Sequence, residues 1–332
     1  MKWNDPVLRA LLNRFQGGFP ITDHPFSNVA AQIGIGESAL IRRLHTLLQR
    51  RVLTRFGPLY DAEAMGGRVV LAAMAVPEAR FDEVAALLAT LPEVAHNYAR
   101  NHPLNMWFVA ASDRPDAVHA VLDRIRDTTG LEVLAFPKRR EFKVGLWVHL
   151  ASDGTVDTVP VPRHARPPAF RAHPGLDALD RAIVQATQAG LPLEPAPYRV
   201  LADRIGCDAQ ELMQRLRRMW EGGIIRRIGA VPHHYRLGLR GNGMVVWDVP
   251  DERVDAAGAR LAASPWVSHC YLRPRHGERW PYNLFTMLHG KDRDAVRRKV
   301  HVLARTPELR GAPYRILYST RVLKKAGLRI AA

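Results

Sequence analysis

Apolar residues along this chain follow two rhythms, and the same succession of rhythms occurs twice. Near the start, Val7, Leu8, Leu11 and Leu12 are spaced for one face of a helix, as are Leu179, Ile183 and Val184 farther on. Each is followed by a proline-containing loop, a short helical pattern (SNVAAQIG, 27–34; RVLADRIG, 199–206), a turn, and a longer helical pattern (ESALIRRLHTLLQRR, 37–51; AQELMQRLRRMWEGG, 209–223). Two helices joined in this way predict a helix-turn-helix. Strand-like runs then alternate with helices. The first set is VVLAAMAV, a helix from Phe81, VAHNYAR, NMWFVAA, a helix from Pro115 and EVLAFP. The second is GMVVWDV, a helix from Arg253, VSHCYLR, NLFTMLH, a helix near Asp292 and YRILYSTRV. The order βαββαβ predicts a ferredoxin-like arrangement.

The two halves are copies. Residues 25–57 align without a gap on 197–229, a constant offset of 172, and Asp5, Arg9, Ala10, Gly18 and Pro20 face Asp177, Arg181, Ala182, Gly190 and Pro192 in that register. Farther along, VPEARFDEV pairs with VPDERVDAA, PEVAHNYAR with PWVSHCYLR, and PLNMWF with PYNLFT. The expected organisation is therefore an α+β tandem duplication. Helix-turn-helix units occupy 1–57 and 176–229, ferredoxin-like units occupy 58–150 and 230–332, and a proline-rich extended linker spans 151–175.

Composition narrows the chemistry. The 332 residues are 47% hydrophobic and 24% charged, ordinary for a globular chain of two or more domains. No apolar run is long enough to span a bilayer, and the first residues lack a signal-peptide core, so a cytoplasmic protein is expected. Cys207 and Cys270 are the two cysteines, too few for a disulfide framework, an iron-sulfur cluster or a cysteine-rich zinc site. Lysine and arginine number 48 against 32 acids, a formal charge of +16 that attracts polyanions such as nucleic acid or a polycarboxylate.

The helix-turn-helix followed by βαββαβ resembles the Lrp/AsnC regulators. Two long stretches, RRIGAVPHHYRLGLRGNGMVVWDVP (226–250) and VSHCYLRPRHGERWPYNLFTMLHG (267–290), are similar specifically to the siroheme decarboxylases. In that family two such units, often separate subunits, pair and remove carboxyl groups from siroheme on routes to heme d1 or heme. Both units in one chain resemble the fused NirD/NirL-type arrangement. The resemblance implies conversion of siroheme to 12,18-didecarboxysiroheme without an added cofactor, the iron being carried by the substrate. It also implies that the two halves pair as a pseudo-dimer, and it leaves open a higher homo-oligomer.

Such a substrate needs several cations, apolar or aromatic walls and few competing acids. Alternation along a strand puts His96, Tyr98 and Arg100 on one face, and likewise His269, Tyr271 and Arg273. The histidines and tyrosines are the catalytic candidates, His269 first and His96 its counterpart, because imidazole can deliver a proton near neutral pH to the carbon that loses carbon dioxide. Arginines are assigned to carboxylates that stay, since a fixed cation on the leaving carboxylate stabilises the ground state most. Arg100, Arg273, Arg275, His102, Trp280, and from the basic ends KRREFK and STRVLKK the residues Arg139, Lys143, Arg321 and Lys325, complete the expected binding set. His233 and His234 join it as candidates for the pocket or the iron. The first copy has Asp61 and Ala62 there, so the units are not chemically equivalent. Cys270 is expected on the opposite face from His269.

Two other classes compete. A DNA-binding regulator would use Arg42, Arg43, Arg50 and Arg51, or Arg215, Arg217 and Arg218, against phosphates. A tetrapyrrole chaperone would bind the same ligand without turnover.

Overall fold

The computed structural model describes residues 5–112, 117–167 and 175–325. The first copy runs α1 (Pro6–Arg14), α2 (Pro25–Ile33), α3 (Glu37–Gln49), β1 (Leu53–Tyr60), β2 (Arg68–Met74), α4 (Phe81–Thr90), β3 (Val94–Arg100), β4 (Met106–Ser112), α5 (Ala117–Thr129), β5 (Leu134–Pro137) and β6 (Arg140–Val144). β7 (Trp147–Leu150) and β8 (Val156–Val159) follow. The second copy runs α6 (Ala178–Thr187), α7 (Pro197–Ile205), α8 (Ala209–Glu221), β9 (Ile225–Pro232), β10 (Gly241–Trp247), α9 (Val254–Ala263), β11 (Val267–Leu272), β12 (Leu284–Gly290), α10 (Arg293–Ala304) and β13 (Tyr314–Lys325).

Local chemistry sets the helix ends. The Asp5 carboxylate accepts from the Val7 and Leu8 amides with Pro6 in the first turn of α1, while Asp177 and Asp180 form a capping box on α6. α2 and α7 both stop at a left-handed glycine, Gly34 (φ 74°) and Gly206 (φ 81°). The two helix-turn-helix units are one body: β1 pairs antiparallel with β9 about Gly57 opposite Gly229, and one apolar core joins Leu8, Leu44 and Phe56 to Ile183, Leu216 and Ile228.

The remaining strands form one sheet in the order β5-β2-β4-β3-β13-β10-β12-β11-β6. Each copy lends its last strand to the other. β13 pairs with β10 of its own copy through Tyr318 and with β3 of the first copy from Ser319 onward. Correspondingly, β5 pairs with β2 while β6 crosses to β11. Lys138 and Arg139 connect β5 to β6, so the two ends of the strand order are consecutive in the chain and the sheet returns on itself. Helices cover each copy's outer face, and the inner faces share a core containing Trp107, Phe136, Trp280 and Phe285.

The stretch after residue 150 departs from the extended linker expected there. β8 pairs with β7, and β7 is docked on α1: Gln16 and Asn13 exchange side-chain hydrogen bonds with the backbone of Val148 and Leu150. Residues 168–174 of that stretch, and Pro115 in the expected start of α5, lie outside the described residues.

Candidate active site

β3 and β11 carry the matched trios on the face turned away from the covering helices. His96 and Tyr98 stand with ring centres 6.2 Å apart, His269 and Tyr271 6.1 Å apart. All four are half-buried. Each guanidinium lies against its tyrosine, Arg100 over Tyr98 at 5.8 Å and Arg273 over Tyr271 at 4.9 Å. Cys270 packs on the opposite face, in the second copy's helix-covered core.

One arm of each arginine is already engaged. Arg100 Nη1 donates to the Leu317 carbonyl at 2.7 Å and Arg273 Nη1 to that of Phe136, matched positions of the other copy just ahead of its exchanged segment. Nε of each is enclosed without a partner among the described residues. Burial lowers both groups to about 10, so both are cationic at neutral pH. Burial also raises the Tyr98 phenol to about 12 and raises Tyr271, keeping both protonated.

The surroundings then diverge. Over β11, Lys138 is ion-paired with Glu63 and, at 2.8 Å, with Glu141, while Arg226 pairs with Asp61 at 2.7 Å and Glu141 at 3.2 Å. Burial pushes Glu141 up, but Lys138 and Arg226 more than offset it and hold the carboxyl below its ordinary range. Over β3 the matched positions are Ser319 for Lys138, Val322 for Glu141, Thr54 for Arg226, His233 for Asp61 and Tyr235 for Glu63. The Tyr235 side chain hydrogen-bonds Ser319 and interacts electrostatically with Tyr98 and Arg100. Val322 is 48% exposed.

His269 has its own buried chain. Its Nδ1 lies 2.8 Å from Ser268 Oγ, which lies 2.8 Å from His289 Nε2, and His289 Nδ1 is 2.5 Å from Asn242 Oδ1. Burial first, then the Arg226 charge, push His269 down to about 4. It is neutral at neutral pH.

Other expected site residues are placed less favourably. Trp280, placed in the expected binding set, is fully buried in the core between the copies, touching Trp107, Phe136 and His102. Arg275 is spent on Asp248, Asp251 and the Val249 and Pro281 carbonyls. Lys143 donates to the Ser264 carbonyl, Arg321 pairs with Asp82 at 2.9 Å, and Arg139 is exposed. The Lys325 side chain lies outside the described residues. His102 accepts from the Leu104 amide, and His276 bonds the Ala135 carbonyl beside Phe136. His233 accepts from the Arg236 amide, and His234 stacks edge-on near His289.

Sequence reasoning missed Glu63, Glu141, Arg226, Tyr235, Ser268, His289, Ser319 and Val322. The offset of 172 would have set Glu63 against Tyr235, but only the strand exchange shows that Glu141 and Val322 reach the other copy's trio.

The arginines assigned to DNA are partly consumed. Arg43 pairs with Asp5, Arg215 with Asp177, Asp180 and Glu211, and Arg217 donates to the Ile21 carbonyl. Arg42, Arg50, Arg51 and Arg218 are exposed.

Known proteins agree with this architecture. The model of the AsnC-like ligand binding domain matches residues 64–143 and 236–324, and that of the siroheme decarboxylase NirDL-like HTH domain matches 9–53 and 180–226. The siroheme decarboxylase NirDL subunit of Paracoccus denitrificans (strain Pd 1222) is 36% identical, covering 100% of this chain and 99% of its own. The siroheme decarboxylase NirG subunit of Pseudomonas aeruginosa is 53% identical over 142 residues, 43% of this chain but 97% of its own. A crystal structure of the siroheme decarboxylase NirDL in co-complex with an iron-uroporphyrin III analogue shares 28% identity at a TM-score of 0.70, covering 99% of this chain and 94% of that one. This chain belongs to the siroheme decarboxylase family, in its fused NirDL-type form.

Proposed function

We propose that this protein decarboxylates siroheme to 12,18-didecarboxysiroheme on a route to heme d1. The observation that carries the reading is the constellation of imidazole, phenol and buried guanidinium repeated on β3 and β11, in a chain aligned end to end with siroheme decarboxylases. A solved relative bound to an iron-uroporphyrin analogue supports a tetrapyrrole as the ligand. At each of two acetate groups the bond between the methylene and carboxylate carbons breaks, and carbon dioxide leaves. The electron pair left on the methylene carbon takes up a proton, giving a methyl group.

The protein's part follows from its groups. Buried arginines hold carboxylates that are retained, with the tyrosine faces packing against them. The protonated phenol hydrogen-bonds the substrate, and the imidazole delivers the proton. Siroheme supplies its own iron, so the reading calls for no added cofactor. Anaerobic incubation of the purified protein with siroheme, followed by mass spectrometry, is expected to show two successive losses of carbon dioxide. Tight binding of unchanged siroheme would instead indicate a chaperone. Salt-sensitive, sequence-specific DNA binding without turnover would indicate a regulator.

A further inference from the structure

We infer that siroheme binds and reacts only in the cleft over β3, and that the matched cleft over β11 is closed by the protein's own ion pairs and serves structure. The inference rests on the decarboxylase reading for its substrate, a ring of carboxylates, and on the contrast between two positions related by the duplication.

The first contrast is charge. Asp61, Glu63 and Glu141 all converge on the trio over β11, where Lys138 and Arg226 are already paired with them. The three carboxylates outnumber the two cations they occupy. An incoming polycarboxylate would have to break these pairs and then meet the freed acids. Over β3 the acids are replaced by Val322, His233 and Tyr235, and the cations by Ser319 and Thr54. Arg100 there keeps its charge, with Tyr235 and Ser319 as neutral polar neighbours.

The second contrast is shape. Among the described residues, Val322 is one of three large apolar residues that stand exposed, and it pairs across the ladder with Tyr98. An exposed apolar side chain beside a half-buried phenol suits the flat face of a macrocycle. Its counterpart Glu141, opposite Tyr271, is instead drawn between Lys138 and Arg226.

The third is the histidine itself. His269 is held through Ser268 to His289 and Asn242. The first copy has Ala95, Ala111 and Val69 at those positions, so the chain of polar groups belongs to the β11 side alone. Such a chain fixes the ring as a packed structural element. A half-buried imidazole held neutral also carries no imidazolium proton to deliver, in keeping with the geometry.

The test uses the full-length protein. Anaerobic absorbance titration with siroheme is expected to saturate at one equivalent per chain. Val322→Glu, which imports the acid of the closed cleft at an exposed position, is expected to weaken binding at least tenfold, with the loss shrinking as ionic strength rises. Val322→Gln, similar in size but uncharged, costs several-fold less. Glu141→Gln is expected to leave the affinity and stoichiometry of binding within a factor of two. Saturation at two equivalents, or equal losses from Glu141→Gln and Val322→Glu, overturns the inference. Absence of carbon dioxide release from the wild type defeats the decarboxylase reading separately, because titration still counts the clefts that bind.

Discussion

Gly258 on α9 is where the exchanged strand of the first copy is seated in the second. A β-carbon built there would lie 2.4, 2.5 and 2.6 Å from three ring atoms of Phe142, which belongs to β6. Carbon atoms pack at about 3.5–4.0 Å, so the ring must retreat by roughly 1 Å in Gly258→Ala. Overpacking of this kind costs about 1–3 kcal/mol, against which alanine returns about 1 kcal/mol of helix propensity. The net expectation is a loss of up to about 2 kcal/mol. The chain supplies its own control: the first copy has Ala85 at the matched position, and its core receives Leu323 rather than a phenylalanine. Gly258→Ala combined with Phe142→Leu should therefore recover most of the loss. Urea unfolding of wild type, both single variants and the double variant, followed by tryptophan fluorescence, gives the coupling energy. A coupling within about 0.5 kcal/mol of zero, with Gly258→Ala as stable as the wild type, would refute the seating of Phe142 against α9.

Further expectations concern the trios and the helix-turn-helix units. His269 titrates near 4 in the fold against 6.5 in an unfolded chain, so stability is full above about pH 6.5 and falls as the pH drops toward 4. The amount is about 3 kcal/mol, and His269→Asn should flatten this stretch of the unfolding-versus-pH curve; an unchanged slope would show that the ring is not held neutral. His96→Asn is expected to lower turnover by about 100-fold or more with siroheme affinity changed far less, read from single-turnover kinetics; loss in binding alone would remove it as proton donor. Arg100→Lys keeps the charge but cannot both reach the Leu317 carbonyl and hold a carboxylate, so affinity should drop at least tenfold; retention of affinity would show that the fork is not used. Gel-shift titration with random and genomic DNA is expected to give only weak, salt-sensitive binding without sequence preference, and a sequence-specific complex surviving physiological salt would contradict this.

Much of the architecture was legible because duplication makes each copy a check on the other. Two occurrences of the same helical spacing, each ending at a glycine such as Gly34 or Gly206, located both helix-turn-helix units. Strand alternation correctly grouped His96 with Tyr98 and Arg100, and His269 with Tyr271 and Arg273. The sequence pattern is silent, however, on which copy a strand joins. β6 carries the same alternation whether it lies beside β2 or beside β11, so the approach of Glu141 to Tyr271 could not be read from it. The ion-pair network draws on three distant segments, around Asp61, Lys138 and Arg226, and local charge counts miss such convergence. The hairpin of β7 and β8 was hidden because the two strands are only four residues each, in a proline-rich stretch, and depend on Asn13 and Gln16 for docking.

Reciprocal lending of strands has a consequence for synthesis. A ribosome delivers the first copy well before the second, yet β3 has no neighbour on one side until Ser319–Lys325 exist, and Phe142 has no α9 to enter. From the end of β6 at residue 144 to the end of β13 at 325 is 181 residues, which at about 5–20 residues per second means a delay of roughly ten to forty seconds. During that interval the nascent chain presents an open strand edge, the feature most apt to pair with a neighbouring nascent chain. Crowding of several ribosomes on one message thus becomes a hazard for as long as that edge stays open. The second helix-turn-helix unit emerges earlier than the covering strand and can already anchor the first through β1 and β9, holding the half-finished chain to itself.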